Sequence, residues 1–161
     1  KEQQGFTPLH LSAKHRHVRT FELLLSDPKA DPTIRDASGQ NVLHHISVNG
    51  NLKMCKALLQ HPQVDVRASI VCEDGKVTSH DQGQTAIHLA AMNGHSSICE
   101  ALLECAEVDI NVRDGRGRSP LLNAVQGSNN AVIATLLAHP QIDINLRDYE
   151  GQTALLSAAR R

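Results

Sequence analysis

The chain has 161 residues, 40% of them apolar and only 2% aromatic, so its core must be built from Leu, Ile, Val and Ala. A formal net charge of −1 gives no electrostatic case for nucleic acid or for an anionic membrane surface. No apolar run approaches the roughly 20 residues a membrane span requires, so no direct membrane insertion is expected. The four Cys, at 55, 72, 99 and 105, form no C-x-x-C pair. They read as reduced, intracellular thiols, cytoplasmic or nuclear, rather than as a disulfide scaffold.

Taken in chain order, the same segment keeps returning. Gly5-Phe-Thr-Pro-Leu-His-Leu, Gly39-Gln-Asn-Val-Leu-His-His, Gly83-Gln-Thr-Ala-Ile-His-Leu, Gly117-Arg-Ser-Pro-Leu-Leu-Asn and Gly151-Gln-Thr-Ala-Leu-Leu-Ser open five units at spacings of 34, 44, 34 and 34. A second block follows at a fixed interval: Phe21-Glu-Leu-Leu-Leu, Cys55-Lys-Ala-Leu-Leu, Cys99-Glu-Ala-Leu-Leu and Ile133-Ala-Thr-Leu-Leu. A third reads Val64-Asp-Val, Val108-Asp-Ile-Asn and Ile142-Asp-Ile-Asn. In unit one, Thr7 is a good N-cap and Pro8 a good first helical residue, which predicts a two-turn helix. A tight turn follows, with Gly50 and Gly94 in units two and three, where a positive φ is needed. Apolar residues at 18, 21, 24 and 25 then have helical spacing. Neither helix is long enough to stand alone, so each unit must bury its apolar face against its sequence neighbours.

Ten extra residues sit inside the second unit, placed by the sequence at about 68–80. Asp74-Gly75 is a hairpin signal, and Ile70-Val71-Cys72 and Lys76-Val77-Thr78 flank it with β-branched residues. They predict a two-stranded finger, the alternative being a solvated insertion with no role in binding.

The segments Thr7-Pro8-Leu9-His10-Leu11-Ser12-Ala13 and Thr85-Ala86-Ile87-His88-Leu89-Ala90-Ala91, with Asn93-Gly94-His95, resemble the ankyrin-repeat hallmark across essentially the whole chain. The resemblance implies an all-α solenoid: stacked helix-turn-helix units with projecting hairpin loops, forming one array over residues 1–161. The departures are specific. The period is one residue longer than the usual ~33. Pro62 and Pro140 stand where the second helix ends. Arg16 and Ser128 replace the tight-turn Gly in units one and four. Unit five stops after its first helix, and the chain starts Lys1-Glu2-Gln3 without Met, which together suggest a monomeric array within a longer polypeptide.

Candidate chemistry is weak against this background. His10, His44 and His88 share one register position, and stacked helices place such positions about 8–10 Å apart. Zinc holds its ligands at about 2 Å, so no shared metal site is expected. The resemblance implies that these His brace adjacent loops through backbone hydrogen bonds. Cys55 and Cys99, also equivalent, are expected in helix packing, their Cα atoms beyond the ~7 Å limit of a disulfide. Asp36, Asp81, Asp114 and Asp148 recur as turn formers. No cofactor, metal or catalytic residue is expected.

What remains is a binding surface. The resemblance implies that partner contacts flank each unit's Gly and follow its first helix. That gives Gln40 and Asn49 in unit two, and Gln84, Met92 and Asn93 in unit three. Unit four contributes Arg116, Arg118 and Gln126, and unit five Tyr149. Arg113, Arg116, Arg118 and Arg147 would make the later loops locally basic and suit an acidic protein face. Asn111 and Asn145 lie in a context resembling the acceptor of an asparaginyl hydroxylase that modifies ankyrin repeats. The expected function is a non-catalytic protein-protein interaction module whose partner the sequence does not name. The alternatives are the regulatory or targeting repeat array of a larger enzyme or channel, and a structural spacer.

Overall fold

The computed structural model describes residues 5–71 and 82–160. Its helices come in short pairs. α1 (Pro8–Lys14) and α2 (Val18–Leu25) belong to unit one, α3 (Val42–Asn49) and α4 (Leu52–Leu59) to unit two. α5 (Ala86–Met92) and α6 (Ser96–Leu103) follow in unit three, α7 (Pro120–Gln126) and α8 (Asn130–Leu137) in unit four, and α9 (Ala154–Ala159) in unit five. The first helices start where their caps stand. The Thr7, Asn41, Ser119 and Thr153 side chains each accept a backbone N–H of the first turn, satisfying donors that have no partner within the helix.

Helices of six to eight residues are too short to persist alone. They are held by two rows of packing. The first helices form an inner row, α1 on α3, α3 on α5, α5 on α7 and α7 on α9, and the second helices form an outer row from α2 to α8. The core runs between the rows as repeated layers of buried Phe21, Met54, Leu58, Ile98, Leu102 and Leu136. Cys55 and Cys99 lie fully buried in these layers. The composition carried this: apart from Phe21, the layers are filled by aliphatic and sulfur-bearing side chains.

The tight turns behave as the register requires. Gly50 and Gly94 have φ of 75° and 79°, while Arg16 and Ser128, at the same position, are each held at φ 57°. A left-handed backbone costs a non-glycine residue about 1–2 kcal/mol, a strain the packing of both units sustains.

Between units, a hairpin reverses the chain. Asp36 N–H donates to Gln40 O at 2.8 Å and Gly39 N–H to Asp36 O at 2.9 Å. The same pair recurs between Asp114 and Arg118 and between Asp148 and Gln152. At the second hairpin Ile70 N–H donates to Gln84 O (2.8 Å) and Gly83 N–H to Ile70 O (2.9 Å), beside an antiparallel bridge between Ser69 and Thr85. Ile70 therefore takes the register position of Asp36 and is buried, not projected on a finger. Ala68–Ile70 belong to the regular hairpin base, and by register the extra residues follow Ile70 in the sequence. In register the ten extra positions thus fall within the 68–80 segment that the sequence assigned to them, with Ile70 paired at the hairpin base. The Asp74-Gly75 turn and its flanks lie outside the described residues, as do Cys72 and Asp81.

Candidate functional site

The hairpin bases are tied to the inner helices by the recurring histidine. Thr7 N–H donates to His10 Nδ1 at 3.2 Å, which leaves Nε2–H to donate to Gln40 O at 3.3 Å. His44 does the same with Asn41 N–H and Ala68 O, and His88 with Thr85 N–H and Arg118 O. Each ring thus spans from its own helix start to the next hairpin. Burial lowers the pKa of all three, that of His44 to about 4, so they are neutral braces near neutral pH. The described residues contain no group of three His, Cys, Asp or Glu that could hold a metal ion. Burial pushes the Cys55 and Cys99 thiols up to about 12, far from the thiolate a nucleophile requires.

The turn aspartates cap their own loops. Asp36 Oδ1 accepts from Ser38 N–H and Gln40 N–H, Asp114 Oδ1 from Arg116 and Arg118 N–H, and Asp148 Oδ1 from Glu150 and Gln152 N–H. Successive tips are also joined: Gly115 N–H donates to Gln82 O at 2.8 Å, and Tyr149 N–H to Arg116 O at 2.9 Å. Among the described residues, these bonds join the later hairpins into one edge.

Against this edge, four of the nine sequence-derived contact residues come together. Arg116, Arg118, Gln126 and Tyr149 line one depression of about 550 Å³ with Gly115, Asp148 and Glu150. Tyr149 is 72% exposed, and one side of its ring carries the Arg113 guanidinium 5.2 Å from the centroid. Val48 and Met92 are exposed on the inner row farther up the stack. Gln40 is half-buried. Asn49 is used internally, its amide donating to Ala13 O at 3.2 Å, and the exposed Asn93 donates to Leu89 O at 2.8 Å.

Two of the nine are not available as surface contacts. Gln84 is 1% exposed, folded beneath the hairpin where Ile70 pairs with its carbonyl. Arg118 is 7% exposed and lies against Asp114, with Nε and Nη2 at 3.0 and 2.8 Å from Oδ2 and Nη1 on Gln126 Oε1. A buried cation requires a counter-charge, so Arg118 forms the floor of the depression. The residue after the Gly turns under the hairpin in units three and four, which residue type alone does not reveal. The basic character of these loops is reduced at one position and offset nearby. Arg118 is neutralised by Asp114, while Arg113 and Arg147 reach the Gly117 and Gly151 carbonyls. Asp148 and Glu150 line the depression together with Arg116.

A second depression, of about 340 Å³, lies at the first hairpin between Phe6, Asp36, Ala37, Ser38 and His45. His45 Nε2–H donates to Asp36 Oδ2 at 2.7 Å. Burial works against the Asp36 carboxylate. The hydrogen bonds from His45, from Ser38 and from the Gln40 and Ser38 amides together hold its pKa below the usual range. Sequence reasoning missed this cluster, although His45 was visible as a polar break in a column that has Leu11 and Leu89. Asn111 is a clasp between units: its amide donates to Gln141 O (2.7 Å) and its oxygen accepts from Asp143 N–H (2.9 Å), whereas Asn145 is exposed.

Comparison with known proteins agrees with this geometry. A family model for ankyrin repeats in three copies matches residues 28–114 and 70–148, and one for ankyrin repeats in many copies matches residues 1–46. A stretch of 55 residues, 34% of this chain, is 40% identical to human transient receptor potential cation channel subfamily A member 1 and spans 5% of that protein's length. Layered helix pairs, histidine-braced hairpins and family matches over most of its length converge, and the chain belongs to the ankyrin-repeat family.

Proposed function

We propose that this chain is a non-catalytic protein-interaction module that grips a partner along its inner helices and hairpin tips, with its main contact at the depression between the last two hairpins. The observation that carries this is the convergence of Arg116, Gln126 and the 72% exposed Tyr149 around one recess. Tyr and Arg are enriched among residues that dominate binding energy. Because both Arg116 and Glu150 line it, the recess suits a polar segment of mixed charge better than a uniformly acidic one. Family membership alone does not identify the partner. The array serves here as the targeting or regulatory part of a larger protein, a reading that the partial likeness to a channel favours over a free-standing spacer.

The test pairs Arg116→Glu with Tyr149→Ala. A partner captured by the unaltered chain should bind each variant at least about tenfold more weakly by calorimetry, with an unchanged far-ultraviolet circular dichroism spectrum. Equal affinity with an intact fold would remove this recess from the interface.

A further inference from the structure

Each helix pair leaves a hairpin at one end and a short turn at the other. The turns, like the hairpins, are tied to one another. Arg16 donates to Asn49 O, Asn49 to Ala13 O, His95 to Val48 O, and Asn129 to Ala91 O and Met92 O.

The two ends differ in charge. The chain has 17 Asp and Glu, yet residues 14–21, 48–55, 92–99 and 126–133, which surround the four turns, contain none. The described hairpins carry Asp36, Asp114, Asp148 and Glu150. The cations of the turn edge gather at its first half: Lys14, Arg16 and Arg19 in unit one, and Lys53 in unit two. All four are exposed. Glu22, the next acid along the chain, is engaged by Lys53 at 3.0 Å. Among the described residues no carboxylate pairs with Lys14, Arg16 or Arg19. His15 and His17 stand in register with Asn49 and His95, which clasp the turn before their own, so the charge of the patch rests on the lysine and the two arginines.

Arg16 supplies the geometry. It is held at φ 57° where Gly50 and Gly94 stand in the next two units. Its Nη2 bond to Asn49 O fixes the guanidinium across the first two turns. A guanidinium anchored through one nitrogen still presents further N–H groups, and its planar fork matches the two oxygens of a carboxylate.

We propose that this end of the turn edge docks an acidic segment of a partner protein, rich in Asp and Glu. It is a second contact surface, at the opposite end of the helix pairs from the recess between the last two hairpins. The number of cations selects the occupant. A polybasic membrane site takes about four to eight Lys or Arg, and non-specific nucleic-acid binding grows with every phosphate neutralised. Two arginines and one lysine not engaged by an acid fall short of both. They match a short run of carboxylates, and the lack of acids along the rest of the edge leaves an extended acidic chain unopposed. An acidic partner thus finds its complement here, and not at the later hairpins, where Asp148 and Glu150 accompany Arg116.

The probe is a fluorescein-labelled peptide of alternating Glu and Ser, titrated with the 161-residue chain at low ionic strength and read by fluorescence anisotropy. Arg16→Gly installs the residue that units two and three carry at this turn, and so removes the guanidinium without straining the backbone. Combined with Arg19→Gln, it should weaken peptide binding by about tenfold, with an unchanged far-ultraviolet circular dichroism spectrum. Added salt should weaken binding to the unaltered chain and have much less effect on the double variant. Peptide-induced amide chemical-shift changes should centre on residues 14–20 and 49–53. Arg116→Glu, in the recess, should leave peptide affinity unchanged, so the two surfaces are tested separately. Absence of binding to the unaltered chain, equal affinity of the folded double variant, or shifts centred on the later hairpins would overturn the proposal. So would phosphatidylserine vesicles or duplex DNA that bind more tightly than the peptide and lose binding in the same double variant, since a membrane or a nucleic acid would then be the occupant.

Discussion

Asn123 is fully buried, and neither its amide nitrogen nor its oxygen has a hydrogen-bond partner. It shares a register column with Leu11, His45 and Leu89. His45 satisfies its ring by donating to Asp36 at 2.7 Å. In unit four that role is taken by Arg118, which engages Asp114 from the other side of the turn and leaves Asn123 without a use. A buried amide deprived of water and partner costs about 1–3 kcal/mol. Asn123→Leu, the residue the column carries twice, is therefore expected to raise stability by about 1–2 kcal/mol in urea unfolding; a loss of stability would mean that the amide is satisfied after all. The sequence revealed the departure from Leu in this column. It did not reveal that Arg118 would fold inward, because that depends on the distance between two side chains brought together by the hairpin.

At the scale of the element, the helix pairs were legible from caps and spacing: Thr7-Pro8 opens α1, and the apolar positions 18, 21, 24 and 25 lie on α2 as expected. The turn between the two helices shows how an element depends on its neighbour. A Cβ on Gly50 would lie 2.3 Å from the His95 ring, whose Nε2–H donates to Val48 O at 2.9 Å and thereby ties unit three to unit two. Gly151 has a similar φ, 76°, but a Cβ there meets nothing within 4 Å. Gly151→Ala should thus lose only the backbone preference, about 1 kcal/mol. Gly50→Ala should lose clearly more, since the ring must move and its cross-unit bond with it. Equal losses in parallel thermal unfolding would show that His95 adapts without cost. At the insertion, the β-branched Ile70 pairs with Gln84 at the base of the hairpin, while the finger expected beyond it lies outside the described residues.

For the whole molecule, the three histidine braces couple layer to layer, and their protonation state sets the pH range of the array. Burial puts the folded pKa of His44 at about 4, below its ordinary 6.5, and lowers those of His10 and His88. The unfolded chain therefore binds more protons than the folded one between these limits. Stability is fully present above pH about 6.5 and falls as pH drops towards about 4, by up to about 3 kcal/mol for His44 alone. Asp36, whose pKa is lowered in the fold, adds a further loss below its ordinary 3.8. Urea midpoints measured between pH about 7.5 and about 4.5 should decline accordingly, and more shallowly in His44→Gln. A flat profile would mean that these rings are as easily protonated folded as unfolded.

The period of the chain was enough by itself to determine the helix pairs, their order and the rows in which like residues stand, because a unit that cannot bury its apolar face alone must stack on its neighbour. Position in the row does not determine exposure. Only the packed structure showed that Arg118 and Gln84 turn inward while Arg116 and Tyr149 remain outside. It also showed that Asn111 is clasped while Asn145 is exposed. The physical reason is that a repeated sequence repeats its local conformation, whereas burial and charge pairing belong to the interface between two layers and change wherever either layer changes.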